Sequence, residues 1–114
     1  MNNLDTPVDP MIKVSILYPN SEGTRFDTAY YTGKHLAMVR EKLTPMGLQG
    51  TAAEKGLNGG ATGTPAPFHC VGHMFFKSTD DYKAAMKAHG KALMADMPNF
   101  TNATPVVQVG EVVE

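Results

Sequence analysis

One cysteine stands among the 114 residues. Cys70 has no partner within the chain, so no internal disulfide can form, which fits a reducing cytosol. No apolar run approaches the roughly 18 residues that suggest a membrane span. Charge of one sign is also missing: ten Lys and Arg face eleven Asp and Glu, for a net charge of −1. A chain so balanced has no basic patch to neutralise phosphates, which argues against nucleic acid. Residues 1–10 carry Asp5 and Asp9 but no basic or apolar stretch, so they do not read as a signal peptide. They are expected to be a flexible N-terminal arm ahead of one domain at 11–114, in a cytoplasmic protein. A chain of this length can bury a core without metals or disulfides.

Cofactor signatures are absent as well. The glycines between Gly56 and Gly63 do not form G-x-G-x-x-G and do not lead from a strand into a helix. There is no G-x-S-x-G nucleophile elbow. His69 and His73 lie four apart on a predicted strand, which separates them by roughly 13 Å, too far to share a metal. No spacing resembles a zinc site, so neither a metal nor a cofactor is predicted. Cys70, among apolar neighbours, reads as a small buried hydrophobe rather than a nucleophile. His89 falls on an apolar stripe and reads as a core or interface histidine.

What is present has a clear order. Ile12 to Tyr18 alternates, with Ile12, Val14, Ile16 and Tyr18 on one face of a strand. A helical pattern runs from about Arg25 to Leu43 and closes at Thr44-Pro45-Met46-Gly47. Leu48 to Leu57 is a weaker strand, followed by a Gly/Pro-rich connection to the strand Phe68 to Lys77. That strand is apolar on both faces, so both are expected to be covered. Ser78-Thr79-Asp80-Asp81 is an N-cap cluster, and a helix follows from Asp80 to about Met97, with His89-Gly90 a weak point. Its stripe is Tyr82, Ala85, Met86, His89, Leu93 and Met97. A last strand covers Thr104 to Val113. The order β-α-β-β-α-β predicts an α+β, ferredoxin-like sandwich. Helices would cover one sheet face, and a second copy packed on the other gives a homodimer with C2 symmetry.

Two segments carry most of the chemistry. Phe26-Asp27-Thr28-Ala29-Tyr30-Tyr31-Thr32-Gly33-Lys34-His35 places two tyrosines shortly before a histidine. Histidine titrates near neutrality, and tyrosine combines an apolar ring with a polar hydroxyl. On a straight helix, Phe26, Ala29, Tyr30, Gly33, Leu36, Ala37 and Leu43 share one arc, and His35 points nearly the other way. Tyr31 lies on the His35 side. Two readings follow. His35 is a surface histidine, or the helix bends near Gly33 and delivers it with a tyrosine into a pocket. In the second segment, Asp96-Met97-Pro98-Asn99-Phe100-Thr101-Asn102, Pro98 stops a helix and Phe100 anchors the chain. Asp96 has three candidate partners: Arg25, Arg40 or a histidine.

Together the F-x-x-x-Y-Y-x-x-x-H and D-M-P-N-F-T segments resemble the EthD family, named for ethyl tert-butyl ether degradation. The likeness covers nearly the whole chain from about Met11. The matching positions are Phe26, Tyr30, Tyr31, His35, Asp96, Pro98, Asn99, Phe100 and Thr101. The family pattern often continues H-x-P-L; here it reads His35-Leu36-Ala37-Met38. The resemblance implies a dimeric α+β barrel, related to cofactor-free monooxygenases and muconolactone isomerases. It implies an oxidoreductase acting in catabolism of organic compounds on a small, largely apolar metabolite. His35 and Tyr31 would then be catalytic, with His35 the general acid/base. Phe26, Tyr30, Asp96 and Phe100 would contact the substrate. An alternative expectation is a non-catalytic carrier that holds a hydrophobic intermediate for a partner oxygenase, and a third is a structural dimer without ligand.

Overall fold

The computed structural model describes residues 11–114; the expected arm at 1–10 lies outside the described residues. Four strands form one antiparallel sheet in the order β2-β3-β1-β4: β1 (Ile12–Pro19), β2 (Leu48–Lys55), β3 (Phe68–Phe76) and β4 (Val106–Glu111). A first helix, α1, spans 28–43, and a second, α2, spans Thr79–Asp96. This is the predicted β-α-β-β-α-β order and the ferredoxin-like fold. Alternation places the side chains as expected. Ile12, Val14, Ile16 and Tyr18 pair in register with Phe76, Met74, Gly72 and Cys70. Leu36, Val39 and Leu43 of α1 and Ala85 and Leu93 of α2 close over that face as one core.

Local chemistry explains the element ends. Asp27 caps α1, its side chain accepting from the Tyr30 amide at 3.0 Å. Gly47, at φ 102°, takes the left-handed turn that leads into β2. Ser78 caps α2 by accepting from the Asp81 amide at 3.1 Å, and two acids follow in the first turn. The helix runs unbroken through His89-Gly90, so the expected weak point is not a break. A single glycine costs a helix only about 1 kcal/mol relative to alanine, and packing of the apolar stripe offsets it.

The opposite face of the sheet carries Lys13, Ser15 and Leu17 against Phe75, His73 and Val71. None of these joins the core under the helices. The expectation that both faces of β3 are covered is met within this chain on one face only.

Tyr31 meets the sheet at Gly72. A Cβ built on Gly72 would overlap the Tyr31 hydroxyl oxygen, with the ring carbon behind it at 3.1 Å. Only a glycine lets the helix and its tyrosine sit this close. Gly72→Ala is therefore expected to cost about 1–3 kcal/mol by overpacking. Tyr31→Phe, which removes the clashing oxygen, should recover most of that loss in the double variant. Denaturant unfolding of all four proteins checks this, and additive losses would rule out the contact as the cause.

Candidate active site

The first helix is not a regular α-helix. Thr28–Tyr30 begins it, Tyr31–His35 is a π-helical segment, and Leu36–Leu43 is α again. The Leu36 amide donates to the Tyr31 carbonyl, five residues back rather than four. One extra residue in the turn rotates everything upstream by about 100° relative to the helix that follows. Tyr31 thereby occupies the place that Thr32 would hold on a straight helix, one turn before Leu36. Gly33 lies in the middle of this segment.

The result settles the orientation left open by the sequence. His35 is 6 % exposed and Tyr31 1 %; the surface reading of His35 does not hold. The two rings stack, with centroids 5.5 Å apart and planes inclined by 17°. Phe100, fully buried, packs against both, at 4.6 Å from the imidazole and 5.0 Å from the Tyr31 ring.

The second motif closes onto the first through the backbone. The Asp27 amide donates to the Phe100 carbonyl at 2.7 Å, and the Thr101 hydroxyl donates to the Arg25 carbonyl at 2.7 Å. Phe26 and Thr101 form an isolated antiparallel bridge. This docking brings Asp96, at the end of α2, to His35. The three candidate partners for Asp96 reduce to the histidine: His35 Nδ1 lies 2.9 Å from Asp96 Oδ2. The other carboxylate oxygen accepts from the Tyr30 hydroxyl at 2.7 Å and from the Asn99 side-chain amide at 3.0 Å.

Electrostatics follow from these contacts. Burial alone would raise the Asp96 pKa, but the bonds from Tyr30, Asn99 and His35 outweigh it and hold the carboxyl below its usual range. Asp96 is thus ionised at neutral pH and acts only as an acceptor, so Nδ1 of His35 carries the proton. Nε2 makes no hydrogen bond among the described residues, and no fully buried side-chain polar atom lacks a partner there. Nε2 therefore keeps accessible surface. Burial pushes the Tyr18 hydroxyl up to about 12 and raises the Tyr31 hydroxyl as well. Both stay protonated near neutrality. Burial likewise raises the Cys70 thiol to about 11, so it is no nucleophile.

His35 borders a cavity of about 970 Å³ between the helices and the sheet. Its wall is mostly apolar: Ile16 and Met74 from the sheet, Leu36 and Val39 from α1, Met86 and Leu93 from α2. Of the residues expected to act at a site, His35 and Tyr31 line this cavity. Phe26, Tyr30, Asp96 and Phe100 do not; they stand behind the wall and support it. Phe100 has no exposed surface, and the Asp96 carboxylate is turned onto His35 and Tyr30. Asn99, read from sequence as a turn former, also belongs to the Asp96 network. The stripe of α2 was legible by its spacing, and it supplies Tyr82, Met86, Leu93 and Met97 to the wall. His69 and His73 have separate partners, Thr24 at 2.8 Å and Glu54 at 2.9 Å. Among the described residues no three metal-ligating side chains converge, and no helix is long and apolar enough to cross a membrane.

A ferredoxin-like α+β sandwich with a carboxylate-oriented histidine at an apolar cavity defines the class. Residues 23–104 match the EthD domain model, and the chain belongs to the EthD family. An EthD-like protein from Ralstonia eutropha JMP134 is 39% identical, covers 94% of this chain and 96% of its own, and superposes with a TM-score of 0.87. An ethyl tert-butyl ether degradation (EthD) family protein from Bacillus halodurans C-125 is 20% identical over 90% of this chain and 99% of its own, with a TM-score of 0.63. A dimeric ferredoxin-like protein from an uncultured marine organism, 17% identical over 94% of this chain and 90% of its own, has a TM-score of 0.54. The last two likenesses show the fold. No curated protein matches the chain.

Proposed function

We propose that this EthD-family protein binds a small, largely apolar metabolite in the cavity and uses His35 as a general acid/base on it. The observation that carries this reading is the pairing of His35 Nδ1 with Asp96, on a ring that borders the cavity and whose Nε2 has no hydrogen-bond partner among the described residues. A base held in one tautomer, beside an apolar chamber, is equipped to take a proton from a bound carbon or oxygen acid. The Asp96 carboxylate stabilises the imidazolium that results and holds the ring's orientation. Tyr31, stacked on the imidazole, fixes its plane. The oxidoreductase role implied by the family likeness would join this proton transfer to an electron acceptor supplied with the substrate or by a partner. The protein works as a homodimer packed through the sheet face that the helices leave bare; the dimeric ferredoxin-like neighbour supports this.

Nitrogen NMR of histidine-labelled protein tests the reading. The neutral imidazole of His35 is expected to carry its proton on Nδ1, and its Nε2 resonance should shift when the neutral apolar dye N-phenyl-1-naphthylamine fills the cavity. A proton on Nε2 instead, or an Nε2 signal indifferent to the bound dye, would reject the assignment.

A further inference from the structure

The cavity's charge differs from that of the chain. The whole sequence is nearly neutral, at −1, yet the lining carries Arg25 and Lys91 and, among the described residues, neither an aspartate nor a glutamate. Asp96, the nearest carboxylate to the chamber's base, is engaged by three donors behind the wall. Both cations are exposed, so they stand where the cavity opens to solvent. Among the described residues the Arg25 guanidinium has one acceptor, the Pro98 carbonyl at 3.3 Å, which uses only one of its five donors there. Lys91 makes no ion pair or hydrogen bond among the described residues. Past this rim the wall is mostly methionine, leucine, valine and isoleucine, with the rings of Tyr18, Tyr31 and Tyr82 among them and Thr101, Asn102 and Thr104 as uncharged polar members. A largely apolar chamber with two cations at its mouth, and no carboxylate in its lining among the described residues, focuses a positive field on whatever enters.

We infer that the ligand is an apolar molecule bearing one acidic group, its anion held by Arg25 and Lys91 at the mouth and its hydrocarbon body inside. This rests on the reading of the cavity as a ligand site and adds the chemical class of the ligand. The volume, near the upper end of the usual range for small-molecule pockets, suits a fused-ring or medium-chain acid. The acid is the handle that orients the molecule; the proton transfer at His35 takes place at the buried end. Lys91 is a point charge and Arg25 a planar fork, a pair suited to a carboxylate or a sulfonate.

Two dyes that share one aromatic body make the test: 1-anilinonaphthalene-8-sulfonate and its neutral counterpart N-phenyl-1-naphthylamine. Both are titrated by fluorescence into the full-length protein. The sulfonate is expected to bind about tenfold more tightly at low salt, and that margin should shrink toward unity in 0.5 M sodium chloride. Arg25→Gln and Lys91→Met should each weaken the sulfonate by about threefold to fivefold and leave the neutral dye unchanged, which also shows that the variants keep the cavity. Equal affinity of the two dyes, or a preference for the sulfonate that survives both salt and the double variant, overturns the inference while leaving the cavity reading intact. Sulfonate binding that does not move the His35 Nε2 resonance places the dye elsewhere and overturns it too. If neither dye binds, the cavity reading itself fails, and the inference with it.

Discussion

His35→Gln is expected to slow the reaction at the cavity by about 10²–10⁴-fold, the usual contribution of a positioned acid/base, while ligand affinity stays within about threefold. Glutamine fills similar space and its amide can still donate to Asp96, so the wall is kept and the proton acceptor is lost. The effect should therefore fall on kcat and spare KM, because the group removed acts in the transition state and not in ground-state binding. Steady-state kinetics on a turned-over ligand would read it directly. Binding retained with turnover unchanged would remove His35 from the chemistry. Binding without any turnover in either protein would favour a carrier that presents a hydrophobic intermediate to a partner oxygenase.

Phe100→Ala is expected to cost about 3–5 kcal/mol of folding stability, the range for deleting a buried aromatic side chain. The ring has no exposed surface and packs against five others: Tyr18, Phe26, Tyr30, Tyr31 and His35, with centroids between 4.6 and 6.3 Å. These neighbours come from β1, from the chain entering α1 and from both ends of the π-helical segment, so the hole cannot be closed by moving one element. In a domain of ordinary stability such a loss approaches the whole margin. Phe100→Leu, which keeps most of the volume, should lose less than about 1.5 kcal/mol and provides a folded comparison. Urea unfolding checks both, and a loss under about 1 kcal/mol for the alanine variant would show that the cluster repacks. Because Phe100 backs the His35 ring, the alanine variant should also broaden the imidazole resonances.

Much of the fold was open to sequence reading because its signals are local. Period-two alternation identified the face of β1, Ser78 marked the start of α2, and Pro45 and Pro98 marked the ends of both helices. The cavity-facing stripe of α2 followed from helical spacing alone. The orientation of His35 did not, for a definite reason. A helical wheel assumes one phase from end to end, and so puts Phe26 and Tyr30 upstream in the same phase as Leu36 and Leu43 downstream. Had Leu36, Val39 and Leu43 set the buried face alone, His35 would have fallen on its flank, one turn before Val39. The family motif pointed toward a pocket; Gly33 was the only local hint of the change in phase. The partner of Asp96 was likewise out of reach, since it depends on how the 96–102 segment docks onto residues 25–27 by backbone bonds that no side-chain pattern encodes. The separation of the matching positions into wall and support, with Tyr31 in front and Tyr30 behind, needs the same rotation.

The Asp96 carboxylate grips the chain on both sides of that rotation: one oxygen on Tyr30, just before the π-helical segment, the other on His35 at its end. An extra residue in a helix is a defect that can in principle migrate, each step turning a different side chain inward at little cost in hydrogen bonds. A single carboxylate bonded at either boundary pins the defect to one place. Asp96 thus serves as a positional lock on the helix itself, and the residue that orients the imidazole also determines that an imidazole is what faces the chamber.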